Sequence, residues 1–287
     1  MAMKKILVTG ATGFIGNYVI SELLLHECTV IATSFDEAKA MGANWYSKVS
    51  YIPFDLKAFD NSINYYTFFG EPDLVIHLAW EGLPNYKAAF HVEENLPRHL
   101  SFLTNMISNG LKDLLVTGTC FEYGMKEGCL KEDMETVPAN PYAAAKDQLR
   151  RKLEIVAGEQ QVHFKWVRLF YMYGKGQSAN SLFSQLDKAL ASAAPVFNMS
   201  GGEQERDYLP VEQVAANIVN IALQNKVEGI INCCSGKPLA VKDLVLQYLA
   251  AKKQTIELNL GFYPYTDYEP MKFWGDNSKL KTIKTNE

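Results

Sequence analysis

Residues 4–16 read Lys4-Lys5-Ile6-Leu7-Val8-Thr9-Gly10-Ala11-Thr12-Gly13-Phe14-Ile15-Gly16. An apolar, β-branched run breaks into three evenly spaced glycines and opens an amphipathic pattern that reaches His26. Strand, tight turn and helix are the consequence. Glycines at such a turn let backbone N–H groups approach a pyrophosphate at a helix N-terminus, where the dipole favours negative charge. The next β-branched run, Thr29 to Thr33, follows the helix directly. This order at the head of the chain predicts a dinucleotide site, with Gly10, Thr12, Gly13, Phe14, Ile15 and Gly16 around the phosphates.

Outward from that stretch, short apolar runs alternate with helical patterns: Leu74 to Ile76, Leu114 to Val116 and Lys165 to Val167 are strands, and Asn95 to Ser108 and Tyr142 to Ala157 are helices. Repeated strand-then-helix order predicts an α/β fold, a doubly wound parallel sheet with helices on both faces. After Arg168 the spacing is broken by Gly174, Gly176, Pro195, Gly201 and Pro210, and one further strand is plain, Gly229 to Cys233. The reading is a sheet domain over residues 1–168, rejoined by 211–234, and a smaller substrate region over 169–210 and 235–287.

Composition narrows the function. The chain has 287 residues, 48% hydrophobic and 21% charged, which excludes disorder and low complexity. A net charge of −4 gives no field for nucleic acid or anionic membrane. The five cysteines are odd in number and lack C-x-x-C spacing, as in a reduced, cytoplasmic protein. The start Met1-Ala-Met-Lys-Lys has the charge of a signal peptide, but Thr9-Gly10 ends the apolar run too early. No stretch reaches the ~18 apolar residues of a membrane span. No His, Cys or Asp cluster has metal-ligand spacing, so no metal is expected.

At the end of the second strand, where a carboxylate would hold the adenosine ribose of NAD, the chain reads Ala32-Thr33-Ser34-Phe35. A hydroxyl at Ser34 does not repel a 2′-phosphate, so NADP is expected, with NAD possible because no Arg follows. Asp55 and Leu56 are the next candidates near the adenine. Tyr142 and Lys146 stand at i and i+4 on one predicted helix, after the N-cap and first-turn pair Asn140-Pro141. Tyr171/Lys175, Tyr248/Lys252 and Tyr268/Lys272 match the same spacing but lack that context. The strand Leu114 to Val116 ends in Thr117-Gly118-Thr119 and presents a hydroxyl at the carboxyl edge where open α/β sheets bind ligands. A carbonyl that accepts hydride needs a proton. An ammonium ~6 Å from a phenol, at an effective dielectric of ~20, favours phenolate by roughly 3 kcal/mol, about two pKa units. Lys146 is therefore expected to tune Tyr142 as the acid, with Thr119 aligning the same oxygen.

Gly10-x-x-Gly13-x-x-Gly16, Thr119 ahead of Tyr123-Gly124, Tyr142-x-x-x-Lys146, Arg168 to Gly174 and Arg206-Asp-Tyr-Leu-Pro-Val together resemble the extended short-chain dehydrogenase/reductase family that acts on nucleotide sugars. The resemblance implies a Rossmann fold, a catalytic Thr119/Tyr142/Lys146 trio, Lys146 also on the nicotinamide ribose, and a homodimer through a four-helix bundle. It puts Leu78 and Ala79 against the cofactor, and Trp80, Leu83, Cys120, Tyr142, Tyr171 and Arg206 around the substrate, Arg206 as a lone cation on the diphosphate. Asn95 falls where a helix Asn supports the site. Dehydratases of the family carry Asp-Glu where this chain has Cys120-Phe121, and many epimerases carry Asn where Tyr171 stands. The short chain and the stretch His77 to Tyr86 resemble 4-ketoreductases. The implied reaction is NADPH-dependent reduction of the C4 ketone of a nucleoside diphosphate 4-keto-6-deoxyhexose, thymidine-linked. An epimerase that retains NAD and a non-catalytic dinucleotide-binding protein stay open as alternatives. His77 is read as a structural or cofactor-lining residue; Tyr263, Tyr265 and Tyr268 either stack on a base or fill a surface cleft.

Overall fold

Ile6, Leu7 and Val8 are fully buried, and alternation divides them: Ile6 and Val8 join one apolar cluster, Leu7 the other. A strand apolar at every position belongs in a sheet covered on both faces. That is its place in the computed structural model, which describes residues 3–284. The main strands are β1 (Lys4–Thr9), β2 (Cys28–Thr33), β3 (Ser50–Tyr51), β4 (Leu74–His77), β5 (Asp113–Thr119), β6 (His163–Leu169) and β7 (Gly229–Cys233). They form one sheet in the order β7-β6-β5-β4-β1-β2-β3, and all six pairings are parallel. The doubly wound α/β fold is as the sequence predicts. The order reverses between β1 and β4, which opens a crevice at their carboxyl ends.

The longer helices are α1 (Phe14–Leu23), α2 (Leu96–Ser108), α3 (Pro141–Glu159), α4 (Leu182–Ala191), α5 (Val211–Leu223), α6 (Val241–Lys252) and α7 (Ser278–Lys284). Val19, Ile20 and Leu23 of α1 pack with Val214, Ile218 and Ile221 of α5 on one face. Phe102, Leu103 and Met106 of α2 pack with Leu149 and Leu153 of α3 on the other. Asn140 caps α3 by accepting from Ala143 N at 2.9 Å, with Pro141 in the first turn, as its sequence predicts. A wide turn, His91–Asn95, precedes α2 and places Asn95 just outside the helix proper.

Beyond β6 the chain builds a third, smaller cluster from Phe183, Leu186, Phe197, Met199, Leu244 and Val245. Four short strand pairs stitch it together, Tyr171–Tyr173 with Tyr208–Pro210 among them. The sequence reading missed these pairs, because strands of two or three residues carry no legible alternation. α7 corrects the grouping of 235–287 with the substrate region: Leu280 and Ile283 are buried in the same cluster as α1 and α5. Among the described residues no helix is long and apolar enough to cross a membrane.

Gly16 is where α1 touches β1's exit. A Cβ there would lie 2.2 Å from Gly10 O and 2.7 Å from Ala11 O, both backbone atoms that cannot step aside. Gly16→Ala should lower unfolding free energy by about 1–3 kcal/mol. Gly158→Ala, in α3 with nothing within 4 Å of the added methyl, should raise it by about 0.4–1 kcal/mol. Urea midpoints of the two variants check this, and equal effects would reject the close-contact account.

Candidate active site

The crevice starts at the glycine turn. Gly10 has φ +69°, and a Cβ on it would sit 2.8 Å from Ala79 N, so β1's exit and β4's exit can approach only through glycine. Gly13 N donates to Gly10 O at 2.9 Å, and the first bond of α1 runs from Asn17 N to Gly13 O. The amides of Phe14, Ile15 and Gly16 therefore stand outside the helical ladder. Gly10, Thr12, Gly13, Ser34, Asp55, Leu56, Leu78 and Ala79 line a single cleft here. Asp55 is held by Lys57 N at 2.9 Å. Gly16 is buried beneath the turn and the Phe14 ring lies edge-on to Tyr18 at 6.0 Å, so what these two offer a phosphate is the backbone amide, the kind of contact that the sequence expectation names.

The neutral reading of the ribose end is corrected. The Ser34 hydroxyl accepts from Thr12 Oγ1 at 3.0 Å and bonds Tyr51 Oη at 2.9 Å, so it is already engaged. A carboxylate does line the cleft, two residues later: Asp36, fixed by Lys39 N donating to Oδ1 at 2.9 Å. Thr33 Oγ1 is buried without a hydrogen-bond partner and lines the same cleft. An orphaned hydroxyl, a carboxylate and a row of open amides fit a dinucleotide. The sequence reading missed Thr33 and Asp36 because it looked for the acid only at the strand's last positions.

Beside this cleft a second chamber opens at the ends of β5 and β6, lined by Ile15, Leu83, Tyr86, Thr119, Cys120, Phe121, Tyr142 and Tyr171. Thr119 ends β5 and accepts from Phe121 N at 3.3 Å. Tyr142, in the first turn of α3, is 8% exposed, and its amide donates to Tyr86 O at 3.1 Å. Lys146, one turn on, is buried; its Nζ donates to Thr117 O at 3.0 Å and lies 4.0 Å from the Trp80 ring centroid. Hydroxyl and phenol thus line one chamber, and the amine lies one helical turn along, turned to Thr117 O and the Trp80 ring.

Their electrostatics differ from the simple pair. Burial pushes the Tyr142 phenol well above its ordinary range, Tyr86, Glu122 and Cys120 push the same way, and the Thr119 hydroxyl opposes them. The expected lowering by Lys146 is not among these main influences. Burial brings Lys146 itself down to about 7, with the Glu122 carboxylate pulling it up. An amine whose charged form burial disfavours, turned toward a carbonyl and an indole face, exerts little of the field assumed for a fixed ammonium.

Trp80 lines the cofactor cleft and its mouth with Leu83 and Asn95 rather than the Tyr142 chamber. Its ring stacks on His99 at 4.6 Å and its Nε1 donates to His91 Nδ1 at 3.1 Å. Indole only donates, so His91 carries its proton on Nε2 and gives it to Asn85 O at 3.1 Å. Asn95 Nδ2 donates to Glu81 O at 3.1 Å, holding the 80–90 loop. His77 bonds Thr9 and His99, and burial lowers it to about 3, the structural role read for it. Cys120 is buried with its thiol pushed far up. The Tyr171 hydroxyl is sealed without a hydrogen-bond partner.

Arg206 is not a lone cation. Nε and Nη2 donate to Glu269 Oε2 at 3.2 and 3.0 Å, and Nη1 to Glu205 O and Met271 O. A buried guanidinium needs a counter-charge, and the distant Glu269 supplies it, which no local motif signals. Tyr268 packs on Tyr86 and Phe121 at the chamber mouth, whereas Tyr263 and Tyr265 are exposed. Tyr248 and Lys252 share α6 but both hold Asp187, away from either cavity wall described above. Among the described residues no cluster of three His, Cys, Asp or Glu is placed to hold a metal.

The model of the NAD dependent epimerase/dehydratase family matches residues 6–234. Among curated proteins, a dTDP-6-deoxy-L-talose 4-dehydrogenase (NAD(+)) of Aggregatibacter actinomycetemcomitans is 30% identical over 276 residues, 94% of this chain and 99% of that one. A dTDP-4-dehydro-6-deoxyglucose reductase of Escherichia coli is 23% identical over 276 residues, 89% and 82%. Among solved structures, UDP-glucuronic acid 4-epimerase from Bacillus cereus, in complex with UDP-glucuronic acid and NAD, superposes with a TM-score of 0.84 at 23% identity, covering 99% of this chain and 93% of that one. At that identity the likeness speaks for the fold.

The Arg206–Glu269 pair generates a direct test. Glu269 occupies the fork that an anion would need, so Glu269→Gln should tighten binding of inorganic pyrophosphate by about tenfold, and Arg206→Ala should remove the gain. Calorimetric titration at low salt measures both. Unchanged affinity in Glu269→Gln would show that Arg206 is a structural cation only.

Proposed function

The chain belongs to the NAD dependent epimerase/dehydratase family, and from that premise we propose that it reduces the C4 ketone of a nucleoside diphosphate 4-keto-6-deoxyhexose, thymidine-linked, to a 6-deoxysugar. The observation that carries the reading is the convergence of Thr119 and Tyr142 on one chamber, next to a cleft fit for a dinucleotide. A reduced nicotinamide dinucleotide in that cleft supplies the hydride. The two relatives named above act at C4, or on a 4-dehydro sugar, of thymidine-linked 6-deoxyhexoses, and a C4 dehydrogenase run backward is a C4 ketoreductase. The chamber walls Leu83, Tyr86, Phe121 and Tyr171 suit a C6 methyl better than a hydroxymethyl group.

In this reading Tyr142 donates its proton to the C4 oxygen. Reduction needs the phenol protonated at rest, and burial provides that; the alkoxide that forms is the stronger base. Thr119 donates to the same oxygen and holds it in line. Lys146, when charged, lowers the cost of the phenolate left behind. Leu100, Thr104, Ala144 and Val156, which α2 and α3 leave only part-buried, support pairing of these helices across a two-fold axis in a homodimer. Relatives that are UDP-sugar 4-epimerases keep a second reading in view, and an epimerase shows no net consumption of dinucleotide.

Incubation with reduced dinucleotide and a panel of nucleotide-linked 4-keto-6-deoxy sugars tests the proposal. Net oxidation is expected, and Tyr142→Phe should slow it by at least about 10²-fold while cofactor affinity stays within a few-fold. Near-normal turnover would reject Tyr142 as the acid. For the cofactor, the Asp36 carboxylate and a lining without arginine move the reading from NADPH to NADH, by about tenfold or 1.4 kcal/mol. Titration of both reduced cofactors, with Asp36→Ala erasing the difference, checks it. NADPH preference in the parent chain would restore the reading from Ser34.

A further inference from the structure

Glu122 is fully buried, yet no step above uses it. Its Oε1 accepts from Thr119 N at 2.9 Å and Trp166 Nε1 at 3.0 Å, and its Oε2 accepts from Arg168 Nε at 2.7 Å. Gly118 is bare to admit it: a Cβ there would lie 2.4 Å from Glu122 Oε1 and 2.1 Å from Trp166 Nε1. An ion pair built for strength would be bidentate. Here the guanidinium gives the carboxylate one N–H, and Arg168 Nη1 and Nη2 are buried without hydrogen-bond partners, the guanidinium carbon lying 4.3 Å from the Tyr123 ring centroid. The second carboxylate oxygen is committed instead to the backbone of Thr119.

We propose that Glu122 is a positioning residue for the C4-reduction site: its carboxylate fixes the Thr119 backbone so that hydroxyl and phenol face one carbonyl oxygen, and it is the anion that acts on Lys146. The reaction in that statement rests on the function proposed above; the effect on Lys146 does not. Thr117 O on β5 and the Trp80 ring beyond β4 touch Lys146, and the groups coupled to it through the field are His77 on β4, His91 in the wide turn, His99 on α2 and Glu122. The three histidines are held neutral by burial, and Lys146 lowers each further. Among them Glu122 is the resident anion, and it opposes the loss of charge that burial imposes on Lys146. Without it the ammonium would have only the Thr117 carbonyl and the Trp80 ring to set against desolvation.

The test is a pH titration of the free protein labelled with ε-13C lysine, with the Lys146 signal assigned by its loss in Lys146→Arg. The parent signal should titrate at about 7, and in Glu122→Gln at least about one unit lower. The alkaline limb of kcat should move down with it, kcat should fall at least about tenfold, and the KM for dinucleotide should stay within about twofold. Should the single variant fail to fold, Glu122→Gln with Arg168→Met removes both members of the pair, so that Arg168 is not left as an uncompensated buried charge; a downward shift of Lys146 is again expected. A folded variant in which Lys146 and the pH limb stay where the parent has them, with only thermal stability changed, overturns the proposal. An inactive parent that still shows the lysine shift would sink the assigned reaction and leave the charge effect standing.

Discussion

The hydrogen bond between Thr9 Oγ1 and His77 Nδ1, 2.9 Å long and sealed from solvent, ties together the ends of the two strands between which the sheet reverses its order. Everything functional is built above that tie. His77 passes the constraint to His99 through a second bond of 2.8 Å, His99 carries the Trp80 ring, and Trp80 in turn underlies Lys146. Beneath the cleft there is therefore a continuous chain of neutral rings, edge-on between His77 and His99 and stacked between His99 and Trp80. A protonated His77 would lose its role as acceptor or donor in one of these bonds, which is why burial and the neighbouring amine both favour its neutral form.

Above these rings, charge is handled by pairing buried groups that sequence distance separates. Glu122 stands against Arg168, Arg206 against Glu269, and Lys165 against Asp113. Each joins elements far apart in the chain, and each would be costly to break by halves. Two of these pairs lie where chemistry or ligand entry is assigned, one within the sheet domain and one within the substrate region, so the contacts that hold each part together also set the electrostatic conditions of the site. Tyr142 and Lys146 sit in this dry setting, and their unperturbed behaviour in water is a poor guide to them.

The fold was legible because its signals are local and repeated. Ile6 to Val8 announce a two-sided sheet, the three glycines a turn against a helix, and Asn140-Pro141 the start of α3. Thr119, Tyr142 and Lys146 were legible because strand end and helix start are legible, and the topology brings those two points together. Arg206's partner was not, since Glu269 lies in an irregular segment 63 residues on. Glu122 was invisible for a different reason: a lone Glu in a tyrosine-glycine turn ordinarily faces water, and only Gly118 and Trp166 together make room for it inside. Asp36 shows a third kind of miss, where a right chemical rule was applied two residues too early.

The central claim is hydride delivery to the sugar's C4 with the proton from Tyr142. Its most direct measurement uses reduced dinucleotide carrying deuterium at C4 of the nicotinamide, a thymidine diphosphate 4-keto-6-deoxyhexose, and carbon and proton spectra of the product. The account predicts a single deuterium at C4 of a 6-deoxysugar and dinucleotide oxidised in equal amount. Deuterium at another carbon, or a sugar altered with no deuterium and no dinucleotide consumed, would contradict it.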